Sequence, residues 1–309
     1  MTHVVVVLNW FGRRDSVACV DSLRSGSPQA EVLVVDNGSF DGALEEVERR
    51  FLGVHTLQTG ANTGFTGGMN AGLRWALAAG AEAVTILNND TIVPPGAMAR
   101  LAAVARGGVA VSPVVAYTQD PERIWFAGGE IEAASGLPHH GPSVRLRPTD
   151  ADGLRETDIL AGACVTATAA TWRRVGLLDE RYYLLFEDSD WSRRAVASGV
   201  SLRVDTRTTI HHQVSASFGG EMSYLGLFYY VRNGILFIRS AGGGGRLVGR
   251  FLRRHVLPGV REGMAGPGRR AGARRAVMAG AGVLAAAGHR FGPAPAPIHR
   301  LATRWSRLA

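Results

Sequence analysis

Short β-branched runs alternate with amphipathic segments through the first ninety residues, and this alternation restricts the fold more than any other feature of the chain. Val4–Leu8, Glu31–Val35, Val54–Gln58 and Ala83–Leu87 read as strands, three of them almost continuously apolar, as expected of strands buried on both faces. Helical spacing lies between them, at Ser16–Ser25, Gly42–Phe51 and Gly67–Ala79, the last closed by Gly80 where a left-handed residue is favoured. Repeated strand–helix–strand units of this length predict an α/β fold with a mostly parallel central sheet of Rossmann-like type.

Ligands of open α/β sheets gather beyond the carboxyl ends of the strands. Three polar clusters occupy that position here: Asn9-Trp10-Phe11, Asp36-Asn37-Gly38-Ser39 and Asn88-Asn89-Asp90. One such cluster is an ordinary turn, whereas three at corresponding places imply a shared crevice. Asp36 is suited to accept a hydrogen bond from a ribose or base, or else to form an Asx turn capping the next helix. The glycine-rich segment Asn62–Gly72 leads into a helix, so its bare amides can approach a diphosphate, or its glycines can serve tight helix-to-sheet packing. It has neither Walker nor strict GxGxxG spacing, which argues against a dinucleotide. Asp90 projects from a strand end, and one carboxylate plus two diphosphate oxygens suits Mg²⁺ or Mn²⁺, acting as a Lewis acid on a leaving group.

Further along, the chain is polar and broken from Arg145 to Asp158. It turns apolar over Ile159–Ala167 before a helix near Ala169–Val175, and reads as a second half covering the site. Glu187, Asp188 and Asp190 then open a helix that ends before Gly199. Three acids there either offset the helix dipole or supply a base for an acceptor hydroxyl. His211 and His212 come after the strand-like Ser201–Val204 as candidate ligands.

The overall charge of +8 is unevenly spread: residues 246–309 hold 13 Arg against the single acid Glu262, so the body is mildly acidic. Ala241–Gly245 reads as a flexible linker, dividing a domain at 1–240 from a basic, helical extension at 241–309. In Arg250–Leu257 basic and apolar residues interleave, and Trp305 sits between Arg304 and Arg307, a pattern that suits an anionic bilayer. Composition alone also admits nucleic acid, an acidic partner or a merely solvated face, of which nucleic acid is not the expected partner. Cys19 and Cys164 form no CxxC pattern, and the N-terminal residues lack signal-peptide regions, so a cytoplasmic location is expected, with peripheral attachment to the membrane. Ala276–Gly288 is too short to span a bilayer.

Taken in order, several segments resemble the family 2 glycosyltransferases of GT-A fold, and among these the bacterial rhamnosyltransferase-like branch, over roughly residues 3–240. They are Val34–Gly42, Asn62–Gly72, Leu87–Thr91, Gly162–Cys164, Gly176–Glu180, Phe186–Trp191 and His212–Ser217. The resemblance implies that Asp36 holds the base or ribose and that Asn9, Asn62, Gly64, Phe65, Gly68, Asn70, Asn88 and Asn89 border the nucleotide and donor. Asp90 matches the final acid of the family's metal motif, with Asn88 replacing the carboxylate often found first, and His212 matches the late histidine that completes the metal or diphosphate site. Asp188 matches the catalytic base, with Glu187 and Trp191 on the acceptor side. The resemblance further implies one displacement that inverts the anomeric carbon, with no covalent glycosyl intermediate. It implies a dTDP- or UDP-sugar donor, the former carrying a deoxyhexose such as rhamnose, and a glycan, lipid-linked or small-molecule acceptor. Asn88 leaves open a catalytically silent nucleotide-sugar-binding scaffold. A nucleotidyltransferase is disfavoured by the lack of a basic clamp near the first strand.

Overall fold

A computed structural model describes residues 2–141, 147–213, 222–265 and 269–306. Arg145 and Leu146 of the polar stretch, Val214–Ser217 of the last family-like segment, and Arg307 lie outside the described residues.

The N-terminal alternation folds as expected: β1 (His3–Asn9), α1 (Arg13–Gly26), β2 (Glu31–Asp36), α2 (Ala43–Arg50), β3 (Val54–Gln58), α3 (Gly64–Ala78) and β4 (Ala83–Asn88). There follow β5 (Thr91–Ile92), α4 (Ala97–Ala105), β6 (Ala110–Tyr117), β7 (Ile124–Phe126), a hairpin of β8 (Gly129–Glu132) and β9 (Leu137–His140), and β10 (Leu154–Glu156). Then come β11 (Cys164–Thr168), α5 (Ala169–Val175), α6 (Glu187–Ala197) and β12 (Leu202–His212). Val4, Val5, Val6 and Val7 have no exposed surface, which explains the missing polar alternation in β1.

The main sheet runs β10-β12-β6-β11-β4-β1-β2-β3, with β5 added on β12 and β7 on β6. β3, β2, β1 and β4 are mutually parallel, β6 and β12 share their direction, and only β11 and β10 in this path run against it. The stretch Ile159–Ala167 therefore does not cover the site. Its second half becomes β11, inserted into the sheet beside β4, and α5 follows with Thr168 accepting from the Thr171 amide at its N-cap. The histidine pair ends β12 instead of following a shorter strand.

Two glycines set how closely α3 rests on the sheet. A Cβ at Gly72 would stand 2.2 Å from Val6 Cγ1, and one at Gly68 2.5 Å from Leu8 Cδ1. The glycine-rich segment thus owes at least these two residues to packing.

The chain divides into two compact units. One comprises Met1–Glu130, His139–Asp179 and Glu187–Val214, and the other Ile131–Pro138, Glu180–Phe186 and Ser215–Ala309. The division falls well before the glycine run that suggested a boundary after residue 240. In the second unit α7 (Tyr224–Ser240) is buried along most of its length, and Ala241–Gly245 forms its ordered terminating turn: Gly242, at φ 79°, and Gly243 donate to Arg239 O and Ile238 O. After it come α8 (Gly245–Phe251), a π-helical turn (Leu252–Val256), α9 (Leu257–Ala265), α10 (Arg269–Ala287) and α11 (Ala296–Ser306). The core of this unit holds a fully buried arginine, Arg232, which donates to the carbonyls of Gly292, Arg181 and Tyr182, beside Asn233, which donates to those of Tyr182, Leu184 and Leu185. All of these carbonyls but that of Gly292 belong to a segment in which Tyr183, Leu185 and Phe186 have positive φ, a strained backbone that the two side chains fix.

Candidate active site

Register brings the predicted clusters together. Asn9 pairs with Asp36 across β1 and β2, and Leu8 with Asn88 across β1 and β4, so three polar strand ends share one edge of the sheet.

On the β1–β2 side that edge is a closed network. Asn9 is fully buried; its amide nitrogen donates to Asp36 Oδ1 (2.8 Å), Ser39 Oγ (3.1 Å) and Asp41 Oδ1 (3.1 Å), and its oxygen accepts from Ser16 Oγ (2.9 Å) and the Gly12 amide (3.2 Å). Asp36 takes donors from Asn9, Ser39, the Phe40 amide (2.9 Å) and Gln58 Nε2 (2.7 Å). Burial by itself raises its pKa, but these bonds, led by Ser39 and Gln58, outweigh it and hold the carboxyl below its usual range. The Gln58 donor to Asp36 belongs to an exposed residue.

Several of the residues expected to border the donor also serve the fold. Asn9 and Asn89 brace the loop after β1, Asn89 donating to Ser16 Oγ (2.9 Å) and Gly12 O (3.3 Å). Asn70, buried in α3, spends both amide atoms on the backbone of Leu178, and Gly68 faces Leu8 and Asn37 inside the fold. Phe65 packs against the core cluster. Asn62 is exposed and accepts from the Gly64 amide (2.8 Å), holding the start of α3, where Gly64 itself takes φ 77°. Asn37, not singled out from the sequence, binds this turn: its oxygen accepts from the amide and hydroxyl of Thr63, and its nitrogen donates to Gly64 O.

The β4 side is different. The short strand β5 pairs with the end of β12, setting His212 opposite Thr91 and beside Asp90, from which it is 122 residues distant in the chain. His212 Nε2 lies 2.9 Å from Asp90 Oδ1 and 3.3 Å from the Asn88 amide, while its Nδ1 is buried without a partner among the described residues. Ligands at about 2.1 Å on adjacent corners of an octahedral cation stand roughly 3 Å apart, so the Asp90–His212 pair matches one edge of such a shell. Among the described residues no group of three His, Cys, Asp or Glu converges in this way, so the side chains here offer two ligands at most. Asp15 on α1 also lies in the field of Asp90, and burial, then that charge, raises its pKa.

Asp188, half-buried at the start of α6, accepts from the Gly162 amide at Oδ2 (2.9 Å) and from the Ser189 amide at Oδ1 (2.6 Å). Gly162 admits this contact because a Cβ there would press on Asp188 at 3.2 Å. It precedes β11, whose neighbour Ala163 accepts at its carbonyl from the Asn88 amide. Trp125 and His140 were missed from the sequence, since nothing in a tryptophan on a three-residue strand marks it. The Trp125 ring meets His212 edge-on at 5.3 Å and His140 at 4.9 Å, and His140 feels the charge of Asp188.

One acceptor-side expectation fails. Trp191 is 1% exposed, lies at 4.5 Å from Trp172 and donates to Gly176 O, so it is a core residue and not an acceptor floor. Glu187 is buried with Oε2 unpartnered; burial, reinforced by Asp188, pushes its pKa to about 8. Its surroundings therefore favour the neutral carboxyl. Asp190 is tied to Arg193 and Arg194 along its own helix.

Solved structures share this fold. S. aureus TarS 1–349 aligns with a TM-score of 0.57 at 16% identity, over 93% of this chain and 81% of that one. A mannosyltransferase from Pyrobaculum calidifontis, in complex with GDP-Man and Mn²⁺, aligns at 0.55 and 16%, over 99% and 80%. The sequence model "Glycosyl transferase family 2" matches residues 15–175, and the chain belongs to that family. Among curated relatives, the N-acetylglucosaminyl-diphospho-decaprenol L-rhamnosyltransferase of Mycobacterium tuberculosis is 27% identical over 227 residues, covering 63% of this chain and 70% of the relative. A low-salt glycan biosynthesis hexosyltransferase of Haloferax volcanii is 23% identical over 71% of this chain and 70% of its own. The protein is a glycosyltransferase acting on a nucleotide sugar, of rhamnosyltransferase-like type, and the scaffold reading is not favoured.

Proposed function

We propose that the enzyme inverts the anomeric carbon of a nucleoside-diphosphate sugar by a single displacement, with Asp188 as general base. The observation that carries this reading is the contrast at the β4 edge: Asp90 and His212 are joined at 2.9 Å with coordination capacity to spare, and Asp188 is aimed by two backbone amides. Asp188 removes the proton of the acceptor hydroxyl as its oxygen bonds to the anomeric carbon, and the bond to the diphosphate breaks with its electron pair. A Mg²⁺ or Mn²⁺ ion held by Asp90 and His212 would neutralise charge on the departing diphosphate. Rotating the Asn88 amide by half a turn presents its oxygen there, a rearrangement neutral in shape. Trp125 and His140 form an aromatic wall suited to the apolar face of a sugar.

The donor we favour is a dTDP-deoxyhexose, then a UDP-sugar. The rhamnosyltransferase name of the mycobacterial relative supports the former, and its decaprenol-linked acceptor supports a lipid-linked acceptor here. Attachment to the cytoplasmic face of a membrane follows from that acceptor. Release of nucleoside diphosphate from a panel of sugar nucleotides with Mn²⁺, read by mass spectrometry, tests the reading. Metal-dependent diphosphate release that Asp188→Asn abolishes is expected; release of pyrophosphate, or of nothing with any donor, would overturn it.

A further inference from the structure

In the basic stretch that suits an anionic bilayer, two apolar residues are turned inward by the fold while Leu257 stays 40% exposed. Phe251 is fully buried, Val256 nearly so, and Trp305 packs edge-on against Tyr224 at 5.6 Å with the Arg274 guanidinium 5.7 Å from its ring centre. The outward face lies on α10. Its inner face, including Gly272, Met278, Ala279, Gly282, Ala285 and Ala286, is buried, and a Cβ at Gly282 would stand 2.9 Å from Phe228 O, so α10 lies hard against α7. After Arg269 and Arg270 in its first turn, its exposed residues are Ala273, Val277, Gly280, Leu284 and Ala287, none of them polar; Val277 is 50% and Leu284 74% exposed. A globular surface helix normally presents polar residues there.

Charge identifies what covers this stripe. Arg270 precedes Val277 and Leu284 at seven-residue intervals, on nearly the same line of the helix, with Arg269 beside it and Arg290 beyond the other end. There is no acidic residue from Gly263 to the C-terminus. A second copy would bring like arginines against these, whereas an anionic lipid surface satisfies both the apolar line and its basic ends. No helix among the described residues is long and apolar enough to cross a membrane, so the contact is one of lying on the surface.

We propose that α10 is the membrane-docking face of this enzyme, seating Val277 and Leu284 among the acyl chains of an anionic leaflet with Arg269, Arg270 and Arg290 at the headgroups. This deepens the proposed approach to a lipid-linked acceptor and rests on that reading only for its purpose, not for its chemistry.

The test is co-flotation of the full chain with phosphatidylcholine vesicles containing roughly one third phosphatidylglycerol. Wild type is expected to float with these and not with phosphatidylcholine alone. Val277→Asp/Leu284→Asp should weaken binding by roughly tenfold or more, and Arg270→Glu by several-fold with lower salt sensitivity. Circular dichroism and nucleoside diphosphate release without vesicles check that the variants are folded. Unchanged flotation of the double aspartate variant would overturn the proposal, as would equal binding to neutral vesicles. Concentration-dependent dimers that the same variant dissolves would give the stripe to a second copy and also overturn it. Flotation that the variant loses, from an enzyme releasing no diphosphate with any donor, would leave the docking face standing while the catalytic reading fell.

Discussion

Asn9 and His212 both end strands of one sheet and both are nearly fully buried, yet they belong to opposite kinds of polar cluster. Around Asn9 and Asp36 each oxygen and amide hydrogen has a protein partner, and the network welds β1, β2 and the following loops into a rigid frame. Around His212, one ring nitrogen has no partner among the described residues and the other faces both a carboxylate and an amide. Polarity at a strand end therefore does not by itself mark chemistry. Unfilled valence does, because a group already saturated by the protein has little left to give a ligand.

Substitutions in the two clusters should separate frame from site. The largest effect is expected at the open cluster: Asp188→Asn should lower kcat by roughly 10²–10⁴-fold, the usual worth of a positioned base, with donor binding retained. Donor titration beside turnover would separate the two. Asp90→Ala should come next, removing metal-stimulated diphosphate release, whereas Asn88→Ala should reduce it by only several-fold; equal losses would show that the carboxylate is not the principal ligand. Asn9→Ala should do the reverse of these, costing about 2–4 kcal/mol in chemical denaturation while the folded fraction keeps its turnover within a few-fold. A fall in kcat without loss of stability would move Asn9 from the frame to the site.

The smallest effect is a pH dependence. Glu187 has a folded-state pKa raised from the ordinary carboxyl range to about 8, so the folded form binds its proton more tightly than the unfolded one. Its contribution to stability is complete below about pH 4.5 and is lost as pH rises toward 8. Glu187→Gln should therefore flatten the decline in melting temperature across that window and melt above wild type at about pH 8. Parallel pH profiles of the two proteins would show that the carboxyl is not buried.

Much of the fold was legible because β-branched runs and helical spacing are local. All four N-terminal strands formed within a residue of expectation at either end, and α5 formed at Ala169–Val175. The site was legible less evenly. Asp90, Asp188 and His212 stood out by residue type and by resemblance, and the fold does set Asp90 against His212. Trp191 was misplaced because an aromatic residue one turn into an acidic helix start points inward or outward according to what packs on it, and here Trp172 does. Trp125 and His140 were invisible because their meaning arises only from β7 and β9 lying near His212.

Local order was enough to set the α/β class, the polar strand ends and the uneven charge of the chain, since each depends on neighbours a few residues apart. Tertiary packing settled which of those polar groups were already spent, which apolar residues of the arginine-rich segment turned inward, and which helix left Val277 and Leu284 in water. Hydrogen bonds across 122 residues and burial against distant helices make those choices, and neither is written in local order.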